Sequence, residues 1–163
     1  MKISKRKLWR VPLYCIFAGV IIFYTIVNFL GRFMLVELPD GTITLDNTRV
    51  LIVHGSIFVV ALLIGGLIFL RNMTRKEIFY SASIIAAIGV TANLFQWVFN
   101  LTTGPGAIFF MYISRAFEWS SIIPQLLNRA NMNPWLGAFI GRLTPCLFTL
   151  FGKSGYNQSN ESN

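Results

Sequence analysis

Acidic side chains, cysteine and histidine are scarce in this chain. Of its 163 residues only six are aspartate or glutamate, two are cysteine and one is histidine. Cys15 and Cys146 stand at opposite ends, which excludes a disulfide framework, a CxxC redox motif and a zinc finger. His54 has neither a second histidine nor a cysteine at ligand spacing, so the common metal centres are excluded too. Acid–base or nucleophilic catalysis needs paired carboxylates, or a nucleophile beside a base. The apolar stretches contain one glutamate, one histidine and scattered serines, and Ser120 and Ser121 match no hydrolase motif. Glu37, Asp40 and Asp46 miss the spacing of a calcium loop. No metal or cofactor is expected, and an enzyme ranks behind other readings.

Charge as a whole is also thin. Charged residues make up 12% of the chain and hydrophobic residues 55%, whereas soluble domains carry roughly 25% charged residues. Four apolar stretches, each near the roughly 20 residues needed to cross a hydrocarbon core, account for more than half the length. The expected fold is therefore an all-α integral membrane protein, a bundle of four transmembrane helices embedded in a lipid bilayer.

The net charge of +8 lies in short clusters beside those stretches and makes no continuous basic face, so nucleic acid is not an expected partner. Lys2, Lys5, Arg6, Lys7 and Arg10 precede the first stretch, and Arg71, Arg75 and Lys76 fall between the second and third. Basic residues are enriched in cytoplasmic loops, so both clusters put the N-terminus in the cytoplasm. The apolar run after the basic N-terminus is too long for a signal peptide and lacks an A-x-A-like site. A bacterial plasma membrane is the expected location.

Along the chain the spans are read as residues 11–36, 50–70, 78–101 and 107–127. Between the first two, Glu37-Leu-Pro-Asp-Gly41 followed by Thr-Ile-Thr-Leu45 predicts a small external hairpin, because proline presets a turn and glycine tolerates positive φ. Pro124 is expected to kink the fourth span near its inner end. Asn133 and Pro134 have the preferences of an N-cap and first helical residue. The helix they start, residues 134–151, has an apolar face of Trp135, Leu136, Phe139, Ile140 and Leu143 and is read as amphipathic and interfacial. The alternative is a fifth span, which would carry Arg142 into the membrane. The tail, residues 152–163, is polar and expected to be disordered. Both termini then lie in the cytoplasm.

Ionisable groups within a bilayer cost about 2.5–3.5 kcal/mol each on insertion scales, so Arg115 and Glu118 call for a reason. Three residues apart, they are neighbours on one helix face. Asn93 and Arg115 are expected at similar depth, with Gln96, His54 and Asn28 in the same outer half and Trp119 covering the group. Two readings follow: a structural ion pair braced by Asn93 and Gln96, or a small pocket in which Arg115 meets an anionic group and Glu118 or His54 exchanges a proton or cation. Ala61 and Gly65, and Ala82 and Ala86, are spaced four apart, which lets helices approach closely. They motivate the leading expectation, a non-enzymatic accessory or homo-oligomerising subunit that acts through helix contacts with itself or a membrane partner. A small transporter or channel using the outer-half cluster is the second.

Overall fold

The computed structural model describes residues 5–101 and 103–153. Expectations for the remaining tail, and for Lys2, lie outside the described residues. A short α1, Lys5–Leu8, leads into α2, Arg10–Thr25, which continues through a π turn, Ile26–Leu30, into α3, Gly31–Met34. The expected hairpin follows: β1, Leu35–Glu37, pairs antiparallel with β2, Ile43–Leu45. Gly41 takes φ +80° in its turn, and Asp40 Oδ1 accepts from Thr42 N at 3.0 Å and Thr42 Oγ1 at 2.6 Å.

Helix α4, Asn47–Ile64, extends by a π turn to Phe69. It begins earlier than hydropathy suggests because Asp46 caps it, accepting from Thr48 N at 2.7 Å and Arg49 N at 3.1 Å. Helix α5, Arg75–Val98, also starts early. Thr74 and Glu77 form a reciprocal capping box that satisfies two otherwise orphaned amides. The remaining helices are α6, Gly104–Arg115, α7, Ile122–Arg129, and α8, Pro134–Arg142, the last prolonged by a 3-10 segment, Thr144–Phe151. Asn133 Oδ1 caps α8 by accepting from Trp135 N at 2.9 Å.

Among the described residues, four helical segments are long and apolar enough to cross a membrane: Arg10–Met34, Asn47–Phe69, Arg75–Val98 and Pro134–Phe151. Two expectations change. The helix expected over 107–127 is two helices joined by a bend at residues 116–121. Pro124 permits the break. Its ring would collide with the Ser120 carbonyl of a continuous helix, but it is tolerated in the first turn of α7, where no amide donor is needed. Arg129 then donates from Nη2 to Asn47 O at 2.7 Å, so α7 ends beside the start of α4. The α6–α7 pair enters and leaves at the hairpin end of the long helices, with its bend half-way along them.

The second change concerns residues 134–151. The segment runs alongside α5 rather than across one end of the assembly, packing against it along the 3-10 stretch. At its far end Lys153 N donates to Met73 O at 3.1 Å, and Arg75 N donates to Lys153 O at 3.2 Å. Lys153 thus shares an end with the turn between α4 and α5, because the returning α6–α7 pair has already restored the chain to the hairpin end.

The core lies where α2, α4, the bend and the 3-10 segment meet. Trp119 is fully buried. Its ring stacks on Phe58 at 5.9 Å between centroids and lies 5.2 Å from Phe148, which meets Tyr14 edge-on at 5.5 Å. The small residues at four-residue spacing are buried within the chain: Ala61, Gly65, Ala82 and Ala86. A Cβ on Gly65 would collide with the Tyr14 and Phe148 rings. At the turn end, Ser81 Oγ donates to Leu8 O at 2.7 Å and accepts from Val11 N at 3.1 Å, and Lys7 pairs with Glu77 at 2.9 Å. The outward faces remain apolar, with Phe17, Val27, Leu67 and Val98 all more than half exposed.

Candidate functional site

The bend places its polar side chains where the long helices would otherwise close on one another. The Arg115 carbonyl presses on Gly19 in α2, at a spot where a Cβ would overlap the Arg115 backbone. Ala116, Phe117, Trp119 and Ser120 are buried. In apolar surroundings, backbone outside a regular helix is tolerated only when protein encloses its polar groups or a cavity hydrates them.

Arg142 in α8 is the centre of the polar group. It donates to Asn93 Oδ1 from Nε and Nη2 at 3.3 Å each, and from Nη2 to Ser114 Oγ at 2.8 Å. Its guanidinium carbon also lies 4.4 Å from the centre of the Phe117 ring. Three elements that are distant in sequence, α5, α6 and α8, therefore converge on one cation. Nη1 has no hydrogen bond among the described residues.

Beside Arg142 lies a partly open cavity of about 170 Å³, lined by Ser114, Phe117, Glu118, Ser120, Ser121, Pro124, Ala138 and Gly141 as well as Arg142. Glu118 is the opposite charge that acts on Arg142, yet the two make no ion pair within 4 Å. Among the described residues three buried polar atoms at or near the bend lack a partner, Ser121 Oγ, Asn93 Nδ2 and Trp119 Nε1. Leaving such a group unsatisfied costs about 1–3 kcal/mol, and of the three only Ser121 lines the cavity.

The sequence-derived candidates are dispersed. Arg115 and Glu118 form no ion pair, because α6 ends at Arg115 and the spacing of three no longer stacks their side chains. Arg115 instead lies over the Phe23 ring, 3.1 Å from its centre. Asn93 and Glu118 do belong to the polar group, through Arg142 and the cavity respectively. Gln96 donates to Leu101 O at 3.4 Å, at the end of its own helix. His54 is buried, and its Nδ1 lies 2.9 Å from Val50 O, one turn back. Asn28 is exposed and donates to Tyr24 O at 2.8 Å. Trp119 belongs to the aromatic core rather than the cavity wall.

Arg142 and Ser114 are what sequence reasoning missed. Arg142 enters the membrane-depth inventory only if 134–151 spans the bilayer, the alternative to an interfacial helix. Among the described residues no group of three or more His, Cys, Asp or Glu is arranged to hold a metal ion. A larger groove of about 950 Å³ between α2 and α4 is almost wholly apolar, with Arg10, Tyr14 and Ser56 as its polar members. No protein-family model, curated protein or solved structure matches the chain.

Proposed function

We propose that the chain is a small transporter or channel of the membrane, in which α6 and α7 form a re-entrant pair and the cavity beside Arg142 is the solute-binding centre. One observation carries this reading. Arg142, Glu118 and Ser114 line one partly open cavity at the bend, and Asn93 holds the Arg142 guanidinium beside it. Holding a half-buried cation and carboxylate at that depth carries a cost that apolar side chains do not. An apolar core of the same shape avoids the cost, so the expense favours a role beyond holding the fold.

The four apolar segments cross the bilayer, and α6–α7 dips in from the hairpin side. Arg71, Arg75, Lys76 and Lys153 then face the cytoplasm with the basic N-terminus, while the hairpin and the α7–α8 turn face outward. The accessory-subunit reading loses its motive, since the small-residue faces that suggested a partner are filled by Tyr14, Phe148 and other residues of the same chain.

Solvent access to the cavity tests the proposal whatever the solute is. A chain with Cys15→Ala, Cys146→Ala and Ser121→Cys, in lipid nanodiscs, is expected to react with a small water-soluble methanethiosulfonate. A rate no faster than that of a buried Ala116→Cys control would make the polar group a sealed structural knot.

A further inference from the structure

Resting on the pocket reading above, we infer that the cavity takes a small zwitterion, such as a short α-amino acid, with its carboxylate on Arg142 and its ammonium on Glu118. Two opposite charges line one space without forming an ion pair within 4 Å. A bare anion would meet Arg142 but also face the Glu118 carboxylate, and a bare cation would meet the reverse. A ligand bearing both charges satisfies both walls and leaves the site neutral, which is the cheapest state for charge in a low-dielectric interior.

The hydrogen-bonding inventory agrees. Arg142 spends Nε and Nη2 on Asn93 and Ser114, which fixes the guanidinium plane and leaves Nη1 to donate. Charge-assisted bonds of this kind are roughly twice as strong as neutral ones. Ser121 Oγ, buried and unpartnered on the same wall, adds a hydroxyl able to donate or accept. Size is compatible with a short ligand: the partly open cavity of about 170 Å³ has room for glycine or alanine.

Equilibrium binding of radiolabelled glycine to the full chain in lipid nanodiscs tests this, with unlabelled alanine, acetate and methylammonium as competitors. Alanine is expected to compete within a few-fold of glycine. Acetate and methylammonium are each expected to be weaker by about tenfold or more, the loss of one charged determinant. Glu118→Gln is isosteric, and a thermal-melt control checks that it folds. It is expected to lose glycine by at least about tenfold while keeping acetate. Acetate competing as well as glycine, with Glu118→Gln unchanged, would overturn the zwitterion and leave an anion pocket. Absence of any glycine binding would also overturn it. The pocket itself would then stand or fall on Ser121→Cys reactivity, so the two failures are separable.

Discussion

Arg115 and Arg142 both stand in apolar stretches, and their surroundings differ in kind. Arg115 rests on the face of Phe23, an attraction of about 0.5–2 kcal/mol. Arg142 holds Asn93 and Ser114, so its removal also strands those partners. Arg115→Gln is therefore expected to lower stability by about 0.5–2 kcal/mol. Arg142→Gln is expected to cost about 1–3 kcal/mol for each partner left unsatisfied. Thermal melts of the two variants in one detergent measure the ordering, and equal losses would remove the distinction. The sequence alone pairs Arg115 with Glu118, but a spacing of three has meaning only within a continuous helix, and the two form no ion pair. Asn93 is legible as a polar residue on an apolar helix, but its partner lies 49 residues away and no periodicity links the two.

A second residue-scale expectation concerns acid. The amides of Thr48 and Arg49 hold the Asp46 carboxylate below its ordinary value of 3.8, and Arg49 adds a favourable charge. A carboxylate with a depressed folded value lends stability that is complete above its unfolded value and is lost as pH falls through the folded one. The start of α4 is thus expected to hold through mildly acidic conditions and loosen only below about pH 3.8. Amide chemical shifts of Thr48 and Arg49 against pH follow this directly. A midpoint above 3.8 would reverse the sign.

At the scale of elements, the hydrophobic runs, the hairpin and the caps are readable because each depends on local chemistry. Pro39, Asp40 and Gly41 suffice for a turn, Asn133 and Pro134 for a helix start. The fate of residues 107–127 is not readable on the same terms. An apolar stretch of that length suits a span equally well, and Pro124 permits either a kink or a reversal. What selects reversal is non-local: Gly19 allows the Arg115 carbonyl to reach the α2 backbone, and Phe58 and Phe148 provide faces for Trp119. Gly19→Ala is therefore expected to push the bend off α2 and destabilise the fold by about 1–3 kcal/mol, as overpacking does. Gly55→Ala, where a Cβ meets nothing within 4 Å, is the matched control. Equal thermal shifts for the two would mean that the close approach at Gly19 does not hold the bend.

Across the whole molecule, one reversal decides the character of the chain. With α6–α7 returning to the hairpin end, the fourth membrane-length segment is Pro134–Phe151, and Arg142 lies in its middle beside Asn93. The side on which the end of α7 lies therefore tests the arrangement most directly. In a chain with Cys15→Ala and Cys146→Ala, single cysteines at Thr44, Lys76 and Asn128, all exposed, are labelled in sealed vesicles with an impermeant maleimide. Asn128→Cys is expected to label from the same side as Thr44→Cys and opposite to Lys76→Cys. Labelling of Asn128→Cys from the Lys76 side would mean that α6 and α7 cross the bilayer, and the polar centre around Arg142 would have no basis.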